Sequence, residues 1–264
     1  PAKVEVLPNF RPFEVVPRST ELRRRYSLRD DEKIVLCIST VANGFERVLE
    51  AFRRLPDQVH LVTLGNFAPA EYEERILALT REFGIEHKVH FNPPVPYEEL
   101  APLASGADAG LVVIEPKIPN NWISLPNRVF DYMAARLPVV CPYVPDISRI
   151  LEEGGYGLAI NGVEPEDWAD GVMRVIENSE SMRANADEAF KKMNWEVLEP
   201  ELPRLFHGAR SITFVGFVDL VRNNRTMRIA RSLAARGVKI KIVGPSDPEP
   251  HRDPAFEWIG LTTY

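Results

Sequence analysis

Cysteine is nearly absent from this sequence, with only Cys37 and Cys141 in 264 residues. Both stand inside apolar, strand-like runs with no redox or metal-ligand spacing around them, which excludes a disulfide framework and fits a reducing, cytoplasmic setting. Long apolar runs are missing too. Nowhere do about 18 consecutive apolar residues occur, the length that a membrane-spanning helix needs, and Pro1 to Phe10 lacks the charged start and apolar middle of a secretion signal. Membrane contact is expected to be peripheral at most, through Arg23-Arg24-Arg25, and a solvated helix is the stronger reading of that cluster.

Excess positive charge is also lacking. The net charge of -6 gives no basic field for nucleic acid, so DNA and RNA are not expected partners. There is no G-x-G-x-x-G, no Walker lysine and no D-x-D pair of magnesium-binding aspartates. His87 and His90 flank a short strand with no third ligand nearby, so they read as surface or packing residues, and no bound metal is expected. No Ser-His-Asp or Cys-His arrangement can be assembled either.

What is present is an α/β pattern. Hydrophobic residues make up 45% of the chain, enough for a proper core, and short β-branched runs alternate with amphipathic stretches. That alternation predicts a Rossmann-like parallel sheet with helices on both faces. Strands are expected at Ile34–Ile38, Val59–Leu64, Lys88–Phe91, Ala109–Ile114, Pro138–Cys141 and Gly157–Ile160. Between them come helices, one with Phe45, Val48, Leu49 and Phe52 on a single face behind an Asn43/Glu46 capping box. Others run over Glu71–Phe83, Tyr97–Ser105, Asn127–Arg136 and from the capping Asp146 to Glu153, and two more follow up to Met193. Pro200 and Pro203 mark a linker, dividing a domain at residues 1–200 from a smaller one at 201–264. The second starts a β-α-β unit at Ser211–Val215 and ends it at Ile240–Val243, with Thr226, Ile229, Ala230, Leu233 and Ala234 on one helix face. Such a unit cannot bury both faces of a sheet alone.

In open α/β sheets ligands bind beyond the carboxyl ends of the strands, so the loops there are the places to search. Glu115 to Pro126 carries three prolines and Asn120-Asn121, which predicts a surface loop of the kind that holds function. Asn127 and Asp131 lie one turn apart at the start of the next helix, while Phe130, Met133, Ala134 and Leu137 supply its buried stripe. A carboxylate is then left facing the loops, where it can accept both hydroxyls of a ribose, and Arg128 with the helix N-terminus can neutralise a diphosphate. The plain alternative is that Asp131 only complements the helix dipole. The loop Ser39 to Gly44 has the small residues to cradle phosphate, though an ordinary strand-to-helix connection fits it as well. Trp122 can stack on a sugar or base, or simply pack.

The run Ser124-Leu-Pro-Asn-Arg-Val-Phe-Asp-Tyr-Met-Ala-Ala-Arg-Leu-Pro-Val-Val140 resembles the donor-site motif of retaining GT-B glycosyltransferases, family 4, whose usual form is near S-x-P-x-K-x-F-E-Y-x-A-A-G-x-P-V-I. The likeness extends in order. Val6-Leu-Pro-Asn9 resembles the start of that family's donor domain, Gly44–Phe52 its first helix, Val89–Phe91 with Pro94-Val95 its base-binding segment, and Gly154–Gly157 the loop before its last strand. The resemblance implies that Asp131 holds the ribose and that Arg128 stands where the motif lysine does. It also implies that Ser124 and Leu125 approach the diphosphate through their backbone and that Val95 holds the base by main-chain contacts. Ile123 occupies the place where the family often has a second glutamate, and no basic residue occurs in Ser39–Gly44. Ser211–Gly244, especially Asp219–Arg225 and Ala230–Gly237, resembles the opening β-α-β of the family's acceptor domain, here after the donor domain instead of before it. A tandem or permuted arrangement, completed by a further domain or by a homo-oligomer, is what this order implies.

The expected function is therefore a glycosyltransferase donor domain. It takes a nucleotide diphosphate sugar as substrate, needs no cofactor, and passes the sugar with retained configuration to a glycan or lipid-linked acceptor in glycan or polysaccharide assembly. The alternative is a binding or regulatory module that has lost transfer, which Ile123 and the missing loop cation favour. A sugar-nucleotide epimerase is a more distant reading, for which no acid/base pair can be assigned. Asp131, Arg128, Asn127, Ser124, Leu125, Val95 and Gly44 are the candidate site residues.

Overall fold

The computed structural model describes residues 7–206, 209–215, 224–244, 253 and 255–260. Val6 and Asp219–Asn223 of the motifs above lie outside them. The chain divides into two compact units, one of Arg11–Met193 and one that joins Pro1–Phe10 to Asn194–Tyr264.

The larger unit begins with α1 (Glu21–Arg25), β1 (Lys33–Ile38), α2 (Phe45–Arg54), β2 (Val59–Leu64), α3 (Tyr72–Glu82), β3 (Val89–Asn92) and α4 (Tyr97–Ser105). It continues through β4 (Ala109–Leu111), α5 (Pro119–Trp122), α6 (Asn127–Ala134), β5 (Val139–Pro142), α7 (Pro145–Gly154), β6 (Gly157–Ile160), α8 (Pro165–Glu177) and α9 (Ser179–Lys192). Six parallel strands form one sheet in the order β3-β2-β1-β4-β5-β6. This is the doubly wound order of a Rossmann-like fold, and its switch point lies between β1 and β4. Strands covered on both faces read as unbroken apolar runs, and all six residues of β2 are buried. On one face Phe45, Val48 and Phe52 of α2, Ile76 of α3 and Trp168 and Val172 of α8 pack with Cys37, Leu61 and Val140. On the other, α4, α6, α7 and α9 pack against one another. Burial pushes the thiols of Cys37 and Cys141 up to about 12, so both are inert apolar fillers.

Both expected helix caps differ in the structure. The N-cap of α2 is Gly44, not Asn43: its φ of 95° is a left-handed conformation that favours glycine, and its N–H donates to the Glu46 carboxylate over 3.0 Å. The helix α7 begins at Pro145, one residue before the expected cap Asp146, because proline suits the first helical position. In α1, Arg24 and Arg25 pair with Glu21 at 2.6 and 3.3 Å, while Arg23 turns inward to Asp108 at 3.0 Å. That sharing of roles leaves the basic cluster committed to the protein itself.

Strand β4 is half as long as its apolar run, and one side chain explains why. The pairing of β1 with β4 ends at Leu36–Gly110. Beyond that point the Tyr132 hydroxyl, carried by α6, enters between the strands. It accepts the Ile38 N–H at 2.8 Å and lies 3.1 Å from the Leu36 carbonyl and 2.9 Å from that of Leu111. Its ring rests on Gly110, where a Cβ would stand 3.0 Å from the ring. Glycine is what allows this approach.

A second polar cluster sits on β2 and β3. His60 and His90 contact each other at 3.2 Å, His90 stacks on Tyr26 with centroids 4.0 Å apart, and the Tyr26 hydroxyl reaches Asn92. Burial, with His60 and His87 beside it, lowers His90 from 6.5 to about 4.

The smaller unit contains α10 (Trp195–Leu198), α11 (Leu202–Leu205), β7 (Ser211–Val215), α12 (Asn224–Ala234), β8 (Lys239–Gly244) and β9 (Phe256–Gly260). Short helices replace the expected proline linker, since Pro200 and Pro203 fall at first-turn positions that tolerate them. The parallel order β7-β8-β9 adds a strand to the expected β-α-β unit. Met227, Ile229, Ala230 and Leu233 of α12 cover Ile240, Ile242 and Phe256. No helix among the described residues is long and apolar enough to cross a membrane.

Tyr132→Phe should cost about 1 to 3 kcal/mol, because it strands the buried Ile38 N–H and Leu111 carbonyl; urea unfolding checks this, and a cost below about 0.5 kcal/mol would refute the role. The histidine pair sets an acid limit. As pH falls, the unfolded chain takes up the His90 proton near 6.5 and the folded chain only near 4, so stability is lost across that window and not below it. We expect the urea midpoint to drop between those values and His90→Gln to drop less.

Candidate functional site

At the switch point β1 and β4 lead their chains to opposite sides, and the space left between is a cleft of about 370 Å³. Ser39, Thr40, Ala42, Asn43, Gly44 and Arg47 line it from the segment after β1. Glu115, Ile118, Asn121 and Arg128 line it from the segment after β4 and the start of α6, and Trp168 of α8 closes one side. Two helices therefore direct their N-terminal ends at one cavity, a natural position for an anion.

Two guanidinium groups reinforce that polarity. Arg128, in the first turn of α6, donates to the Ser39 hydroxyl at 2.7 Å, which fixes its head over the β1 loop. Arg47, in the first turn of α2, pairs with Glu115 at 3.1 Å across the cleft while remaining about 39% exposed. Glu115 offsets one positive charge and holds Arg47 at the rim. Among the described residues no group of three or more His, Cys, Asp and Glu is placed to hold a metal ion. The cleft presents Arg47, Arg128 and two helix ends to an anionic ligand. The loop itself offers fewer donors than its small residues suggest. The N–H groups of Ser39 and Val41 donate to Leu64 and Asn66, extending the strand contact with β2, and that of Gly44 is taken by Glu46.

Of the candidates read from sequence, Gly44 and Arg128 line the cleft, and Asp131, Asn127, Ser124, Leu125 and Val95 do not. Asp131 differs most from expectation. Instead of facing the loops it is only 7% exposed, and its Oδ1 accepts from Arg11 at 3.1 Å. Arg11 is itself 4% exposed, stacks on the Tyr97 ring at 4.0 Å and donates to the Tyr97 carbonyl. A carboxylate in so dry a place needs a cation, and the extended segment before α1 supplies it. Ser124 directs both its N–H and its hydroxyl at the Asn121 carbonyl, closing the turn of α5 within the expected loop. Asn127 is exposed and Leu125 and Val95 are half-buried.

Arg47 was not among the candidates. A basic residue was sought inside Ser39–Gly44, but one turn of helix returns the third residue after Gly44 to the same mouth. The available sign was its position: an arginine in a first helical turn opposes the helix dipole and calls for another reason to be there.

A family model described as "Glycosyl transferases group 1" matches residues 18–193. A D-inositol 3-phosphate glycosyltransferase from Nocardioides sp. is 29% identical over 150 residues, which covers 53% of this chain and 31% of that protein. One from Xylanimonas cellulosilytica is 26% identical over 183 residues, covering 67% of this chain and 42% of that protein. The chain thus matches less than half the length of these relatives. Among solved structures, Anabaena HepE in complex with UDP aligns with a TM-score of 0.60 at 16% identity, covering 71% of this chain and 52% of that one. Sucrose-phosphate synthase from Thermosynechococcus elongatus aligns at 0.58 and 22% identity, covering 75% and 49%.

The Arg11–Asp131 pair makes a direct stability test. Arg11→Met should cost about 3 to 5 kcal/mol by removing the charged group paired with a buried carboxylate, and Arg11→Met with Asp131→Leu should recover most of it. A single substitution costing less than about 1 kcal/mol in urea unfolding would mean that the pair is not buried as described.

Proposed function

The chain belongs to the glycosyl transferases group 1 family, and on that premise we propose that Arg11–Met193 binds a nucleotide diphosphate sugar in the cleft between β1 and β4. The sugar passes to an acceptor hydroxyl with retained configuration, in glycan or polysaccharide assembly in the cytoplasm. The observation that carries this reading is the convergence of Arg47, Arg128 and two helix N-termini on one cavity at the switch point. As the bond from the sugar to the diphosphate breaks, charge gathers on the leaving oxygen, and fixed cations aimed at it lower the barrier. Arg47 supplies the positive charge that the β1 loop lacks. Leu125 and Asn127 lie at the start of α6 for main-chain and amide contacts, and Val95 remains the proposed main-chain partner of the base.

A second reading, binding without transfer, has its own observation. The Asp131 carboxylate, proposed to meet the ribose, is occupied by Arg11. Release of nucleoside diphosphate from a nucleotide sugar, with the sugar passing to an acceptor hydroxyl or to water, separates the two readings, since a binding module holds the donor intact.

Calorimetric titration with UDP and GDP tests the common part. One of them is expected to bind, and Arg128→Ala and Arg47→Ala should each weaken it by about 1.5 to 3 kcal/mol, tenfold or more. Absence of binding by both, or affinity indifferent to both arginines, would sink the assignment. Asp131→Asn keeps a hydrogen-bonding group in place; unchanged affinity in that variant would remove Asp131 from the ribose site.

A further inference from the structure

We propose that Trp122 and Tyr143 form a seat for a pyranose ring at the rim of this cleft, an assignment that rests on the nucleotide-sugar reading above. Trp122 ends the single turn of α5, whose Asn121 and preceding Ile118 line the cleft. Tyr143 follows β5 at the same carboxyl edge of the sheet. The two rings lie 6.1 Å apart and are tilted by 55°. A large aromatic residue recruited for packing is covered, as Trp168 and Trp195 are at 2% and 7% exposure. Trp122 and Tyr143 instead keep 43% and 45% of their surface in solvent, and Asn121, next to Trp122 in the chain, lines the cavity.

The chemistry of a sugar ring suits this place. A pyranose presents C–H groups on its faces and hydroxyls around its edge. An aromatic plane covers the face while amides meet the edge. Asn120 is exposed next to Trp122, and Asn121 is held at the rim by donating to the Glu115 carbonyl at 3.0 Å. The ring that occupies the seat is the hexose of the donor or a sugar unit of the acceptor, since both come to the same end of a diphosphate bound between Arg47 and Arg128.

Tryptophan emission provides the test, taken as the difference between the protein and Trp122→Ala, because Trp122 is exposed, Trp195 is buried, and Trp168 in the cleft wall and the half-buried Trp258 contribute to both. The protein is titrated with UDP, UDP-glucose, GDP, GDP-glucose and methyl glucoside, and affinities are compared with those of Trp122→Ala and Trp122→Tyr. For a donor hexose, a glucose conjugate changes the emission more than its bare diphosphate does. Trp122→Ala then weakens the conjugate by roughly three- to tenfold more than the diphosphate, and Trp122→Tyr restores it. For an acceptor sugar, methyl glucoside causes the change and Trp122→Ala abolishes it. Diphosphate binding with no response to any glucose-bearing ligand, or with equal losses in Trp122→Ala for diphosphate and conjugate, overturns the seat. Failure of both diphosphates to bind overturns the cleft reading and the seat with it.

Discussion

One phenolic hydroxyl governs the geometry of the larger unit. Where β1 and β4 cease to pair, the Tyr132 hydroxyl accepts the Ile38 N–H and has its one proton within reach of the carbonyls of Leu36 and Leu111, the nearer being Leu111. The strands can then part without leaving buried backbone groups unsatisfied, a condition that any opening in a sheet must meet. The same contact fastens α6 to the switch point. Arg128 rises from the first turn of that helix and Asp131 from its middle, so the place of the cleft and the place of its cation are set together.

Around this fixed point charge is distributed by depth. In the open cleft Arg47 and Arg128 face solvent, each steadied by one polar partner, Glu115 or Ser39. Beneath it, Arg11 and Asp131 pair in a nearly dry setting, where an unpaired charge would be costly. The rim pair can exchange partners with an anionic ligand at little loss, because exposed ion pairs contribute little. The buried pair is held by stacking on Tyr97 as well as by charge. The proposed ligand contacts and the buried anchorage thus fall to different arginines, although α6 carries both Arg128 and Asp131, the partner of Arg11.

Much of this was legible in the sequence, for reasons of periodicity. The apolar face of α2 and the buried runs of β1 and β2 repeat with the spacing of their element, and α4 and β6 match their expected bounds residue for residue. The expected fold class is the one observed. Periodicity failed at α6, where Val129, Phe130, Asp131, Tyr132, Met133 and Ala134 are all buried. A helix enclosed on every side has no solvent stripe to contrast with, so Tyr132 carried no mark. Arg11 meets Asp131 across 120 positions of sequence, and no local rule reaches that far. Arg47 was hidden more simply, by a search confined to the loop when the helix turn beyond it lines the same space. In the smaller unit, β9 is a five-residue strand beyond Ile240–Val243, where the sequence reading of that unit ended.

The central claim is a location: the nucleotide end of the ligand lies over the gap that Tyr132 keeps between β1 and β4. Hydrogen–deuterium exchange with and without saturating nucleoside diphosphate measures it most directly. Slowed exchange is expected in 39–47, in 114–131 and at 94–96, where Val95 is proposed to meet the base, with the histidine-bearing strands β2 and β3 unchanged. Protection centred on 57–62 and 87–92, with none at 39–47, would contradict it.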